Sequence, residues 1–216
     1  INMPYSDIAR ETLLAEGLHA KKIIKTGSPM YEVLQIKKND ISLSNIVERL
    51  GLQVNNYFVV SAHREENVSD PKHFMDLIHS LNTVAEVYGL PIIFSMHPRT
   101  KKMLNNHDII LNKLIKIMKP LGFNDYVKLQ LGSKVVLSDS GTISEESSIL
   151  GFKALNLRYS HERPEAMEEG AVMMVGLKKD KILQSLAILD ERTVDTRRLV
   201  SDYAMPNVSD KVLSII

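Results

Sequence analysis

The residue types best suited to chemistry fall in four short polar clusters: His63 to Asn67, His97 to Arg99, Ser138 to Thr142, and Arg158 to Pro164. The third is the most informative. Val135 to Leu137 has the length and β-branched character of a buried strand, and Ser138 to Thr142 is a polar turn with one glycine. Thr142-Ile143-Ser144-Glu145 then fits a capping box, with Ile143, Ile149 and Leu150 available to the inner face of the helix that follows. A strand running through a Ser-Gly-Thr turn into a helix aims free backbone N–H groups and the positive helix end at one spot. An anion, above all a phosphate, is held at such a spot. Taken alone, this pattern is a weak signal.

The elements that must position these clusters are legible as alternating helices and strands. Ser6 or Asp7 caps a first helix through Leu14, closed by Gly17; Ile23 and Ile24 read as a short strand ending at Thr26-Gly27-Ser28-Pro29, the best linker candidate. Helices over Met30 to Ile36 and near Leu43 to Leu50 follow, the second closed by Gly51. Tyr57 to Ser61 is an apolar strand leading into the His63 cluster. Asp70-Pro71 opens a helix with Phe74, Leu77, Ile78, Leu81, Val84 and Ala85 at helical spacing, and Gly89 ends it. Pro91 to Met96 is a strand leading into His97. Leu104 to Met118 reads as a helix, Tyr126 to Leu131 as a short strand or turn. After the central strand, turn and helix come strands at Ala154 to Leu157 and near Ala171 to Val175, then helices from Lys178 to about Leu189 and from Ser209.

Such alternation predicts an α/β fold with a Rossmann-like parallel sheet and helices on both faces. Ligands of open α/β sheets bind outside the C-terminal ends of the strands. Each polar cluster directly follows an apolar run, so all four are expected on that one edge.

Composition narrows the function classes. The 216 residues are 44% hydrophobic and 25% charged, as in an ordinary globular domain large enough for a substantial core. Lys and Arg (27) nearly balance Asp and Glu (26), so charge favours neither nucleic acid nor an anionic membrane as partner. Cysteine is absent, which excludes disulfides, thiolate nucleophiles and Cys-ligated zinc and suits a reducing, cytoplasmic setting. No apolar run reaches the roughly 18–20 residues that span a bilayer, and no signal-peptide pattern opens the chain. His73 and His79 lie six apart in a helix and so on different faces, against a metal pair. The chain begins Ile1-Asn2-Met3 and reads as a piece of a longer protein.

Three motifs together resemble those of the non-hydrolysing UDP-N-acetylglucosamine 2-epimerases: Ser61-Ala62-His63-Arg64-Glu65-Glu66-Asn67, Asp139-Ser140-Gly141-Thr142-Ile143-Ser144-Glu145-Glu146 and His161-Glu162-Arg163-Pro164-Glu165. Their order and spacing agree, and the similarity runs from the Tyr5 helix to Ser209. Ile143 to Leu150 and His161 to Pro164 look closest to the capsule and O-antigen branch, which makes UDP-N-acetyl-L-fucosamine. The resemblance implies two Rossmann-like domains in the GT-B arrangement, with this chain as the C-terminal half. Residues 1–28 would be a remnant of the N-terminal domain and linker, and 29–216 the UDP-binding domain. It implies UDP elimination and re-addition at C2 of a UDP-sugar, without metal or cofactor, and a full-length homodimer. Ser140, Gly141 and Thr142 would then bind the diphosphate and Arg163 fork onto it; Glu146 would take the ribose hydroxyls, Tyr126 pack on uracil and His97 line the nucleotide pocket, with His63 catalytic. The proton-moving carboxylates would lie in the other domain, leaving this chain alone inactive.

Blander readings stand beside these. His63 by itself also reads as the cap of a strand end, Tyr126 as core and Arg163 as an exposed loop arginine, while Glu145 reads as the capping partner of Thr142 rather than a ligand. Arg158 reads as an ion-pair partner of a nearby glutamate or as a substrate contact; Arg64 and Arg99 as supports or surface groups. The donor domain of a GT-B glycosyltransferase would share fold and UDP site, and a non-catalytic UDP-sugar-binding module is the rival of a different class.

Overall fold

Short runs such as Phe58-Val59-Val60 carry no polar face, so as strands they must be covered on both sides. The computed structural model describes residues 1–96, 104, 109–160, 162–192 and 199–216. Its elements are α1 (Asp7–Ala15), a 3-10 turn at Ala20–Lys22, α2 (Met30–Leu43), α3 (Ile46–Arg49), β1 (Phe58–Ser61), α4 (Glu65–Val68), α5 (Pro71–Tyr88), β2 (Ile92–Ser95), β3 (Ile115–Met118), α6 (Phe123–Leu131), β4 (Val135–Ser138), α7 (Ile143–Leu150), β5 (Ala154–Asn156), α8 (Glu165–Glu168), β6 (Met173–Met174), α9 (Lys179–Glu191), a 3-10 turn at Ser201–Tyr203 and α10 (Val208–Ile215).

The six strands form one sheet in the order β3-β2-β1-β4-β5-β6, every pair parallel. This is the Rossmann-like α/β fold expected. Strand periodicity sorts the side chains onto two faces. Phe58, Val60, Phe94, Val135, Leu137 and Leu155 pack with Phe74, Leu77, Ile78 and Leu81 of α5 and Ile182, Leu186 and Leu189 of α9. Val59, Ile93, Val136 and Ala154 face the other way, against Ile46 and Val47 of α3, Leu129 of α6 and Ile143 of α7. Among the described residues, no helix is long and apolar enough to cross a membrane.

The helix signals of α1 and α5 act as read. Ser6 Oγ accepts from Ala9 N (3.2 Å). Asp70 accepts from Lys72 N (2.8 Å) and His73 N (3.0 Å), with Pro71 in the first turn and Gly89 closing the helix at φ +62°. Other expectations are corrected. The helix expected over Leu104 to Met118 does not reach its end, because Ile115–Met118 pairs as an edge strand with β2. Tyr126 to Leu131 is helical, part of α6, which buries Val127, Leu129 and Gln130 rather than alternate residues. Ile23 makes only a single parallel bridge, to Asn2. The second helix runs on to Leu43 and the third shrinks to Ile46–Arg49.

Register aligns the strand ends. Ser61 stands opposite Ser95 on one side and Ser138 on the other, and Ser138 opposite Asn156. The chain leaves β1 for β2 on one side, while β4 lies on the other. The loops after β1 and β4 therefore diverge across a crevice, the switch point at which open α/β sheets bind ligands.

Candidate functional site

The crevice is organised by Asp139, the residue after β4, which is fully buried. Its carboxylate accepts from the backbone N–H of His63 (3.0 and 3.1 Å) and Arg64 (2.9 Å) and from Asn67 Nδ2 (3.1 Å). Asn67 Nδ2 also donates to the Leu157 carbonyl at 3.0 Å, so the loops after β1, β4 and β5 are stitched together. The His63 ring sets Nδ1 3.2 Å from Asp139 Oδ1, with half of its side chain exposed. A buried carboxylate beside Nδ1 restrains the ring and favours the tautomer that leaves Nε2 as the lone-pair acceptor.

Above the Ser140-Gly141-Thr142 turn lies a cluster of arginines and glutamates. Arg64 makes a two-pronged pair with Glu162 (2.9 Å for each bond) and donates Nε–H to the Asp139 carbonyl (3.1 Å). Arg158, which is buried, pairs with Glu66 and Glu162 at 3.2 Å each, so it is an ion-pair partner of two glutamates at once. Hydrogen bonds from Arg64, then from Arg158, hold the Glu162 carboxyl down to about 2. The same contact to Glu162 raises Arg64 above its ordinary value. Arg163 donates from Nη1 to the Gly141 carbonyl (3.3 Å) and pairs with Glu145. A methyl group on Gly141 would stand 3.6 Å from Glu162, 3.7 Å from Arg64 and 3.8 Å from Arg163, so these groups converge over the glycine.

The capping box between Thr142 and Glu145 does not form. Thr142 has helical backbone angles (φ −70°, ψ −16°) and its side chain caps nothing; Thr142 Oγ1 lies 2.9 Å from Ser140 Oγ instead. A capping box needs an extended N-cap residue to turn its oxygen toward the helix. Glu145, buried, accepts from Ser28 Oγ and pairs with Arg163, a stronger partner than a backbone N–H.

The next residue of α7, Glu146, is buried and accepts from Gln130 Nε2 at 2.7 Å. Tyr126 lies one turn before Gln130 on α6. Burial, then the charge of Glu146, pushes its hydroxyl above the usual tyrosine range. The structure thus gathers His63, Ser140, Gly141, Thr142 and Arg163 at the switch point, and sets Tyr126 near Glu146 beside them. His97, His161 and Arg99 lie outside the described residues. Among the described residues, no group of three His, Asp, Glu or Cys side chains could hold a metal ion.

Sequence reasoning assigned no role to Asp139, Gln130 or Glu162. An acid directly after an apolar strand and beside the His63 cluster was the available signal for Asp139. Gln130 was hidden by reading its segment as a strand or turn.

Comparison with known proteins agrees with this architecture. The family model for UDP-N-acetylglucosamine 2-epimerase matches residues 1–216. A UDP-N-acetylglucosamine 2-epimerase of Methanocaldococcus jannaschii is 32% identical over 192 residues, covering 85% of this chain and 52% of that protein. The structure of a UDP-N-acetylglucosamine 2-epimerase from Rickettsia bellii superposes with a TM-score of 0.89 at 40% identity, covering 100% of this chain and 58% of that one. The Methanocaldococcus jannaschii enzyme in complex with UDP-GlcNAc and UDP gives 0.88 at 28% identity, covering 99% and 60%. The chain spans about half the length of the curated relatives it matches. From its sequence and its fold alike, the chain belongs to the UDP-N-acetylglucosamine 2-epimerase family.

Proposed function

We propose that this chain is the nucleotide-binding half of a GT-B type epimerase that inverts C2 of a UDP-N-acetylhexosamine. In this reaction the C2 proton is removed and the C1–O bond to UDP breaks, giving a 2-acetamidoglycal. Protonation of C2 from the opposite face and re-addition of UDP at C1 complete the inversion. Residues 1–28 would end the first half and 29–216 form the second.

The observation that carries the reading is the juxtaposition of an imidazole held beside a buried carboxylate and an arginine-lined turn at one switch point: His63 on Asp139, beside Ser140-Gly141-Thr142 under Arg64 and Arg163. Negative charge grows on the departing diphosphate oxygen, and donors already aimed at it lower the barrier without reorganising. Ser140, Gly141 and Thr142 at the start of α7 and the fork of Arg163 are assigned to the diphosphate. Glu146, held by Gln130, takes the ribose hydroxyls. Tyr126 packs on the uracil, His97 lines the same pocket, and His63 faces the phosphates and the sugar.

By the family resemblance, the carboxylates that move the C2 proton are assigned to the other half, and acid–base groups act only within hydrogen-bond reach of the substrate. The 216-residue chain then binds UDP without turning over. UDP-N-acetylmannosamine and UDP-N-acetyl-L-fucosamine are the candidate products, for surface polysaccharide made in the cytoplasm by a homodimeric full-length enzyme.

Calorimetric titration of UDP into the chain, with ADP as control, tests the nucleotide site. Expected is saturable UDP binding, weaker for ADP, and weakened roughly tenfold by Arg163→Lys, which keeps the charge but loses the fork. UDP affinity untouched by both Arg163→Lys and Ser140→Ala would overturn the assignment of the phosphate site.

A further inference from the structure

Glu145 and Ser28 have no part in the roles assigned above, yet both are almost completely buried (2% and 0% exposed). A buried carboxylate is costly unless it is paired and hydrogen-bonded. Glu145 meets that condition by bridging two parts of the chain. Its Oε1 accepts from Ser28 Oγ, and its Oε2 faces Arg163 Nη1.

Ser28 is itself fixed. Its N–H donates to the Asp202 carbonyl (3.2 Å), and its Oγ accepts from Met30 N (3.1 Å) at the start of α2. The guanidinium of Arg163 also lies over the Tyr5 ring, Cζ standing 5.5 Å from the ring centre. Arg163 and Tyr5 line one cleft, between α1 and the turn before α8. Residues 1–28 therefore reach this arginine twice, by the Tyr5 ring on the guanidinium and by Ser28 through Glu145.

We propose that Glu145 is a positioning residue that ties Arg163 to the Thr26–Pro29 turn through Ser28, so that segment 1–28 sets the pose of the arginine toward a diphosphate. The proposal rests on the reading of Arg163 as a diphosphate ligand. A guanidinium carries five N–H donors, and the contacts to Gly141 and Glu145 draw on Nη1. Holding one nitrogen fixes the plane of the whole fork, so a ligand meets an arginine whose ordering cost is already met. The coupling is reciprocal: a diphosphate that draws on Arg163 is felt at the turn, and a shift of the turn alters the affinity for diphosphate.

Charge alone predicts the opposite sign. A carboxylate beside an anion site repels the anion, and removing it would tighten binding. The test therefore uses substitutions that keep the charge. Glu145→Asp shortens the reach by one methylene, and Ser28→Ala removes the hydroxyl that holds Glu145. UDP and uridine are titrated into wild type and both variants, following NMR shifts, with thermal unfolding as the check on folding. Expected is a loss of about five- to tenfold in UDP affinity with uridine affinity unchanged. A purely structural role would weaken both ligands alike, and that result, or unchanged UDP affinity in folded Ser28→Ala, overturns the proposal. Should Glu145→Asp fail to fold, Ser28→Ala decides. Hydrogen exchange supplies the second arm: UDP slows exchange at the amides of Ser28 and Met30 in wild type, and loss of that protection in the variants is expected. UDP bound without such protection in wild type overturns the coupling. A wild-type chain that binds no UDP overturns the underlying reading as well.

Discussion

At the scale of single residues, the site depends on carboxylates whose oxygens are taken up by donors. Asp139 receives two backbone N–H groups and Asn67 Nδ2 in a fully buried position. Asp139→Ala leaves these donors unpaired and is expected to cost about 3 kcal/mol or more in urea unfolding. Asp139→Asn keeps one acceptor but turns an NH2 group toward the same donors, for a loss of about 2 kcal/mol. Glu162 behaves differently because it is half exposed (53%). Its carboxyl titrates near 4.5 when free and at about 2 when held by Arg64 and Arg158. The contribution is therefore present above pH 4.5 and fades as pH falls toward 2. Solvent screening limits it to about 1 kcal/mol or less. The stability difference between wild type and Glu162→Gln, measured by denaturant titration from pH 6 downward, is expected to shrink across about pH 4.5 to 2.

Elements bring these residues into range, and their own rules set how well the sequence can be read. β1, β2 and β4 were legible because strands buried on both faces are continuous apolar runs bounded by polar turns. β3 was not, since it is an edge strand whose middle, Lys116 and Ile117, faces outward, at the end of a stretch that also fits a helix. α6 was misread because its nine residues give too short a run to separate the two periodicities. The turn before α2 is fixed more narrowly than its composition suggests. Gly27 has φ +89°, and a methyl group there would come within 2.5 and 2.8 Å of the Met205 side chain. Gly27→Ala is expected to cost about 2–4 kcal/mol, read as a lowered Tm. Adding Met205→Ala removes the Cγ overlap but leaves the 2.8 Å approach to Cβ and the backbone strain, so Tm recovers only in part.

For the whole molecule, the strand order and the anchoring of segment 1–28 matter most. That segment is held on the 3-10 turn at Ser201–Tyr203. Asp202 accepts from Asp7 N (3.0 Å), and Lys25 Nζ bridges Asp7 and Asp202 at 2.7 Å each. Lys211 Nζ adds a bond to the Thr26 carbonyl (3.2 Å). Asp202→Asn weakens this anchor without touching the sheet. Limited proteolysis should then cut residues 1–28 several-fold faster, as local opening costs less, while Tm changes little. Equal acceleration throughout the chain would show that the anchor serves global stability instead.

The sequence by itself determined the α/β class, the polar clusters at the strand ends and the family, because each is written in local patterns of a few adjacent residues. Only the tertiary structure decided which of those residues meet. Glu145 pairs with Arg163 and Ser28 rather than Thr142, Gln130 holds Glu146, and Asp139 gathers the loop after β1. These partners are brought together by strand order and register, and a buried carboxylate takes the strongest donors within reach. Neither the neighbours across the sheet nor the donors they bring can be read from one stretch of chain.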